Sequence, residues 1–193
     1  MERSICIIDG HSDPDPHHLI HGLCDAYAEG AGRGGHTVQR INVAALDLPF
    51  LQSQHDFDSP PPEPVLSERE KIAGAQHVLI AFPLWLGGMP AKLRAFFELA
   101  ASGNFFLRQS DHGWPEKMMA GKSARVVLTM GMPSLVFRFG MDAGALKALE
   151  RGVLGLSGFH PLHHSVIGGV GSLGEDAITS WLEFMREIGA DAV

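Results

Sequence analysis

The run HVLIAF at residues 77–82 restricts the fold most, because it is apolar throughout and does not alternate with polar residues. A strand with this character is covered on both faces, as in parallel sheets that lie between layers of helices. The run SARVVLTMGM at residues 123–132 has the same apolar character and ends at small residues. The two runs predict central strands of a buried parallel sheet.

Weaker signals place the other elements around these strands. Strands are predicted at residues 4–9, 36–43 and 163–170, and helices at 18–30, 67–75, from Pro90 onward, 145–158 and 175–189. Ser67 lies three residues before Glu70, the spacing of a capping box at a helix start. Residues 47–66 hold five of the twelve prolines, so we expect a long surface excursion without regular structure there. Five strands alternating with five helices indicate one doubly wound α/β domain over residues 1–193, with helices on both faces of the sheet.

Composition narrows the classes of partner. The formal net charge of -7, with a pI near 5.8, favours neither nucleic acid nor anionic lipid as a partner. No apolar run approaches the roughly 18 residues that a membrane-spanning helix needs, so we expect no membrane insertion. Cys6 and Cys24 fall in apolar patterns and are predicted to be buried thiols. Unpaired cysteines are typical of a reducing compartment, and we expect a cytoplasmic protein.

Doubly wound sheets bind ligands beyond the carboxyl ends of their strands, so the loops after the first, third and fourth strands are candidate ligand sites. The first is DGHSDPDPHHL at residues 9–19. Gly10 permits a sharp turn, and the helix that follows offers unpaired N–H groups to a phosphate. Further donors in this loop are His11, Ser12, His17 and His18. Asp13 and Asp15 add negative charge at the same place, and the alternative interpretation is that the loop only caps the helix.

The loop after the third strand is FPLWLGGMPAKL at residues 82–93. Trp85 stands between Leu84 and Leu86, immediately beyond a buried strand, and two glycines beginning with Gly87 follow. An indole beside free backbone amides is a platform for a planar heterocycle such as an isoalloxazine. The alternative is that Trp85 only plugs the end of the sheet, but packing alone gives no reason for adjacent glycines beside it.

The loop after the fourth strand is TMGMPS at residues 129–134. Thr129 and Gly131 are positioned to present a hydroxyl and backbone N–H groups to the edge of a flavin ring, where negative charge builds on reduction. Met130 belongs to the same loop, and its alternative role is to fill the core. The three loops together predict a flavin site.

These motifs resemble the flavodoxin-like NAD(P)H quinone reductase family, which includes the modulator-of-drug-activity and potassium-efflux ancillary reductases. The resemblance rests on DGHSDPDP, FPLWLGGMPAKLRAFFE and GKSARVVLTMGMP, and extends over most of residues 4–140. It implies the strand order 2-1-3-4-5, a homodimer with flavin sites at its interface, and hydride transfer from NADH or NADPH through the flavin to a quinone-like acceptor.

The resemblance also assigns residues to the cofactor. It implies that the first-loop donors hold the phosphate or pyrophosphate, and that the third-strand loop holds the isoalloxazine through Pro83, Leu84, Trp85 and Leu86. Thr129, Met130 and Gly131 match the segment at the pyrimidine edge. FAD is the expected flavin. FMN stays open as the alternative, because Pro16, His17 and His18 replace residues usual in the family. Phe137 and Gly140 replace the tyrosine and histidine that relay a proton in the mammalian enzymes, so no catalytic residue is assigned.

Two other functions are compatible with the sequence. One is a flavin-binding regulatory subunit of a membrane transporter, with the proline-rich residues 55–66 as a docking loop. The other is a histidine-ligated metal site. His17 and His21 are four residues apart on a predicted helix, with His11 and Asp13 nearby, and imidazole and carboxylate groups are sensible ligands.

Overall fold

Five parallel strands form the central sheet in the computed structural model, which describes residues 1–110 and 113–193. They are β1 (Ser4–Asp9), β2 (Thr37–Asn42), β3 (His77–Pro83), β6 (Ser123–Thr129) and β7 (Leu162–Ile167). A separate antiparallel ribbon pairs β4 (Leu107–Arg108) with β5 (Glu116–Lys117). The order β2-β1-β3-β6-β7 confirms the 2-1-3-4-5 order implied by the resemblance.

Helices cover both faces of the sheet. They are α1 (Leu19–Arg33), α2 (Gln54–Asp58), α3 (Val65–Gly74), α4 (Ala91–Ala101), α5 (Gly144–Leu149) and α6 (Glu175–Ala190). One face packs against α1 and α6, and the other against α3, α4 and α5. In β3, Leu79 faces the first layer while Ile80 and Phe82 face the second, and all three are fully buried. This two-sided burial explains why HVLIAF shows no polar alternation, and each such side chain contributes about 1.5–3 kcal/mol.

Two helix starts differ from the sequence prediction. Residues 47–66 are not wholly irregular, because α2 forms within them and Ser53 and Asp56 make a capping box at its start. The capping box predicted at Ser67 is wrong, since α3 begins at Val65 with Pro64 as its N-cap. The Ser67 hydroxyl instead donates to Glu63 Oε2 at 2.7 Å. Both segments carry the S-x-x-[DE] pattern, and only one of them stands at a helix start.

Two of the later elements are shorter than predicted. The fourth strand of the sheet, β6, ends at Thr129 and not at residue 132. The helix predicted over residues 145–158 divides into α5 and a wider, π-helical turn at Glu150–Gly155. The helix α5 therefore ends before Gly152, in agreement with the low helix propensity of glycine.

The structure bears on two features considered in the composition. Cys6 and Cys24 are both free and buried, as expected. Within residues 1–110 and 113–193, no helix is long and apolar enough to cross a bilayer.

Candidate functional site

The carboxyl ends of β1, β3 and β6 meet in one place, which we call the carboxyl-edge cleft. The Gly10 N–H donates to a carbonyl of β3 at 2.8 Å, and the Leu84 N–H donates to Thr129 O at 2.7 Å. Beyond the strands, the His11 ring stands edge-on to Trp85, with ring centroids 5.5 Å apart. The structure therefore brings together the three loops that the sequence selected.

Gly10 makes this convergence possible. A Cβ at this position would lie 2.6 Å from Leu93 Cδ2 and 2.9 Å from Ala81 O. Because no real side chain tolerates such distances, only glycine lets the chain turn directly from β1 into the loop.

Unpartnered donors collect where α1 begins. Ser12 Oγ and His18 Nε2 are buried atoms without a hydrogen-bond partner in the described part of the chain. His18 is the N-cap of α1, but its side chain makes no capping bond. The N–H groups of Leu19 and Ile20, in the first helical turn, also lack partners among the described residues. A hydroxyl, an imidazole and two amides at the positive end of a helix fit a flavin phosphate.

Two carboxylates flank these donors. Asp13 Oδ2 lies 3.1 Å from His18 Nε2, within ion-pair distance, so a phosphate at His18 would compete with this carboxylate. Asp15 Oδ1 lies 2.7 Å from His17 Nδ1, and both members of this pair are exposed. Backbone N–H groups and then the neighbouring histidines lower the pKa of both carboxyls, so both are ionised at neutral pH. An incoming phosphate meets negative charge at the rim of its site.

A buried ion pair, which the sequence analysis missed, supports the loop from below. His21 Nδ1 lies 2.6 Å from Oδ2 of the fully buried Asp9, and His21 Nε2 lies 2.9 Å from Asp13 O. Both neighbours are acceptors, so both ring nitrogens must donate and His21 is an imidazolium. Burial opposes this charge, but the bonds to Asp9 and to the Asp13 carbonyl outweigh it and raise the pKa of His21. Arg40 also binds Asp9 Oδ2, at 2.5 Å.

The histidines of the loop form a compact cluster above this pair. The His11 and His18 rings stack with centroids 4.0 Å apart, and the His11 and His21 rings meet edge-on at 5.4 Å. Burial lowers the pKa of His11. His11 is therefore a neutral ring between the charged His21 and the indole of Trp85.

The loop after β3 is a strained two-residue turn. Trp85 and Gly88 exchange two backbone hydrogen bonds of 2.9 Å, and between them Leu86 and Gly87 have φ angles of 46° and 74°. Leucine seldom adopts a positive φ, and such strain concentrates at functional sites. The Trp85 side chain is 46% exposed at the cleft.

The prediction that the backbone amides of this loop are free to bind a ligand is wrong for two of them. The N–H groups of Leu84 and Trp85 are used by Thr129 O and Gly88 O. Within the described residues, those of Leu86 and Gly87 have no partner and remain able to bind a ligand.

The loop after β6 contributes less than its sequence suggested. Thr129 pairs in register with Pro83, which places both residues at the cleft. Gly131 is exposed, and its N–H has no partner in the described part of the chain. Met130 is buried in the core, with its N–H bonded to Ile167 O and its carbonyl accepting from a backbone amide beyond β7. The structure thus places Met130 in the core instead of the cleft.

The geometry gives no support to a histidine-ligated metal. The helix begins at Leu19, so His17 precedes it and does not share a helical face with His21. His17 is exposed, whereas His21 is buried against Asp9. No group of three or more histidine, cysteine, aspartate or glutamate side chains in residues 1–110 and 113–193 is placed to hold a metal ion.

Comparison with known families supports the fold. The Flavodoxin_2 family model, described as a flavodoxin-like fold, matches residues 3–188. The chain is a member of the Flavodoxin_2 family. This membership confirms the resemblance drawn from the loop motifs. In a separate comparison, no curated protein matches the sequence.

Solved structures similar to this Flavodoxin_2 protein include three reductases. The NAD(P)H:quinone oxidoreductase from Methanothermobacter marburgensis is 19% identical, with a TM-score of 0.82 and coverage of 100% of both chains. The FMN-dependent NADH-azoreductase from Bacillus anthracis str. Ames Ancestor, solved in complex with FMN, is 15% identical with a TM-score of 0.72, and 97% of each chain is covered. The NADPH-quinone reductase from P. pentosaceus is 12% identical with a TM-score of 0.66, covering 96% of this chain and 97% of the other. At these identities the similarity shows the shared fold.

Proposed function

We propose that this protein is a flavin-dependent NAD(P)H oxidoreductase that reduces quinone-like acceptors in a ping-pong reaction. One observation carries the proposal: unpartnered donors at the start of α1 and the half-exposed indole of Trp85 lie on the same cleft. A phosphate-bearing planar cofactor needs both features at once. The names of the similar structures, two quinone reductases and an azoreductase, support the same class of reaction.

We propose FMN as the flavin in preference to the FAD expected from the sequence. The donors at the start of α1 make one compact group, which suits a single phosphate, and Asp13 and Asp15 disfavour a second phosphate beside it. The B. anthracis neighbour, which binds FMN, supports this choice.

Each loop has a distinct part in this proposal. A flavin held in the cleft would supply the redox chemistry between NADH or NADPH and the acceptor. Ser12, His18 and the first turn of α1 hold the phosphate, while Trp85 supplies an apolar surface for the ring. The Gly131 N–H, which has no partner among the described residues, stabilises negative charge at the ring edge. Phe137 is an apolar, buried residue that can donate no proton, so the acceptor would take its proton from water or another group.

We also propose that a second copy of the chain completes the cleft. Leu86, Leu135, Val136 and Phe139 are large apolar residues exposed to solvent. They form one region, since a Cβ on Gly87 would lie 3.1 Å from Met141 Cε, at the end of the segment that carries the other three. Exposed apolar patches of this kind mark association surfaces. Sedimentation equilibrium should give twice the monomer mass, and a monomer throughout the accessible concentration range would exclude the dimer.

Steady-state kinetics test the reaction. The purified protein is supplied with FMN, then with NADH or NADPH, and a benzoquinone is varied at several fixed donor concentrations. We expect quinone-dependent oxidation of the nicotinamide and parallel double-reciprocal plots, since the first product leaves before the second substrate binds. If the protein does not accelerate oxidation of the nicotinamide by the quinone, the proposal is wrong. Intersecting double-reciprocal plots would overturn only the ping-pong order.

A further inference from the structure

A cavity of about 490 Å³ lies beside β7, between α5 and the segment that follows the loop after β6. Its apolar lining includes three buried or half-buried side chains, those of Phe137, Leu146 and Val166. The same segment reaches the carboxyl-edge cleft, because Met141 Cε would lie 3.1 Å from a Cβ on Gly87. Asp142, the next residue, lines the cavity. One stretch of chain therefore borders both the cavity and the cleft proposed for the flavin.

Irregular backbone is concentrated around this cavity. Val136–Gly140 and Glu150–Gly155, the two π-helical turns in the described part of the chain, both contribute residues to its lining. Between them, Asp142 and Ala143 also line the cavity, with φ angles of 51° and 49° that residues other than glycine seldom adopt. Both π-helical turns and strained backbone are frequent at functional sites. The cavity is therefore a candidate ligand site.

The acidic side chains that line the cavity already have partners there. Lys147 Nζ forms an ion pair with Asp142, and Glu150 Oε1 lies 2.9 Å from Nδ1 of His164. The hydrogen bond from Lys147, and then its charge, lower the pKa of Asp142, and the charge of Arg151 adds to this effect. Both carboxylates are therefore held within the lining.

Two arginines at the cavity have no such partner. Arg138 and Arg151 are exposed, and neither forms an ion pair with another described residue. With Lys147 they give the lining more cationic side chains than carboxylates, although the whole chain carries a net charge of -7. A planar guanidinium can bind two oxygens of one phosphate at once. The cavity thus combines an apolar surface with cationic groups that suit a phosphorylated ligand.

We propose that this cavity binds the adenosine 2′-phosphate of NADPH and so selects NADPH over NADH as the electron donor. This role rests on the flavin reaction proposed above and names its reductant. A dinucleotide whose nicotinamide lies at the flavin must place its adenosine on a surface next to the cleft, and this cavity borders the cleft. NADPH differs from NADH only in the 2′-phosphate, and a nearby arginine is a general means of recognising that group.

Calorimetric titration with two nucleotides tests the site without requiring turnover. The FMN-saturated protein is titrated with adenosine 2′,5′-bisphosphate and with adenosine 5′-monophosphate, which lacks the 2′-phosphate. The wild type should bind the bisphosphate at least about tenfold more tightly, as expected for added charge-assisted hydrogen bonds. Arg138→Met and Arg151→Met should each remove most of this preference. Arg33→Met, which removes an exposed arginine at the end of α1, should retain it.

Steady-state kinetics give a second readout of the same preference. With a benzoquinone as acceptor, we compare kcat/KM for NADPH with kcat/KM for NADH. The ratio of the two should fall at least about fivefold in Arg138→Met and in Arg151→Met, because both remove an interaction that only NADPH makes. The ratio for Arg33→Met should equal that of the wild type.

The two measurements separate this site from the reaction itself. Equal affinity of the wild type for the two nucleotides would overturn the site, and so would a preference that survives in both arginine variants. Either result leaves the flavin reaction standing if the protein still reduces a quinone. A preference that depends on the arginines, in a protein that reduces no quinone, would uphold the nucleotide site and refute the reaction.

Discussion

Nδ1 of His21 lies 2.6 Å from Oδ2 of Asp9, and this contact places a positive charge directly beneath the loop that begins α1. The two residues are twelve positions apart, one at the end of β1 and the other in the first turns of α1. The pair therefore fixes the strand to the helix at the point where the phosphate of a cofactor would bind.

This contact predicts a pH dependence of stability. The pKa of His21 is raised in the folded state, so its stabilising contribution is complete below the unfolded value of about 6.5 and is lost as the pH rises through the folded value. The free energy of unfolding of the wild type, relative to that of His21→Gln, should therefore decrease from pH 6 toward pH 9, by amounts that urea denaturation can measure. Parallel pH profiles for the two proteins would show that His21 is not held as an imidazolium.

The indole platform predicts a selective loss of cofactor. Trp85→Ala should raise the Kd for FMN about tenfold or more, because stacking of a planar ring on an aromatic side chain contributes roughly 1–3 kcal/mol. The side chain is 46% exposed, so the fold should be retained. Quenching of FMN fluorescence measures the affinity, and Trp114→Ala, which removes a more exposed indole, is the matched control. Equal affinities for the wild type and Trp85→Ala would show that the indole does not contribute to FMN binding.

The charge at the loop predicts a gain of affinity. Asp13→Asn should lower the Kd for FMN about threefold to fivefold at low salt, because a repulsion of about 1 kcal/mol with the phosphate is removed. The gain should shrink as salt screens the charges. Asp191→Asn, beyond the end of α6, should have no effect on FMN binding. Weaker FMN binding by Asp13→Asn would indicate that the carboxylate orients His18 instead of repelling the ligand.

The packing of α1 on α6 predicts opposite effects for two glycines of α1. A Cβ at Gly30 would lie 2.0 Å from Arg186 O, so Gly30→Ala should lower the free energy of unfolding by about 2–3 kcal/mol through overpacking. Gly32 has no neighbouring atom within 4 Å of its would-be Cβ, and Gly32→Ala should raise stability by about 0.5–1 kcal/mol through helix propensity. Equal effects in urea denaturation would mean that the two helices are less closely packed than described.

The sheet was predictable from sequence because its central strands are buried on both faces. HVLIAF corresponds to β3 within one residue, and the three loops at the carboxyl edge were selected by the same topology. The ends of irregular elements were less predictable. The same short capping pattern occurs at Ser53 and Ser67, and the local sequence does not tell which one stands at a helix start.

Within the candidate site, the residue types predicted which loops form the cleft. They did not predict which atoms of those loops are free to bind a ligand. Trp85 and Gly131 present groups to the cleft, whereas Met130 points into the core and the Leu84 N–H completes the sheet. The pairing of Asp9 with His21 depends on how the loop folds back over β1, so no local pattern reveals it. Burial of an aspartate within an apolar strand was the available signal, because such a group requires a partner.

Whether the cleft binds a flavin is tested most directly by the visible absorption spectrum of the purified protein, recorded during anaerobic titration with FMN and then with NADH or NADPH. If the loops after β1, β3 and β6 form a flavin site, FMN should bind with saturable spectral shifts at one equivalent per chain. The visible absorbance band of the flavin should then bleach when the nicotinamide is added and return when a quinone is added. A protein that leaves the FMN spectrum unchanged at every concentration, or binds FMN equally well with both Ser12 and Trp85 replaced by alanine, would contradict the account.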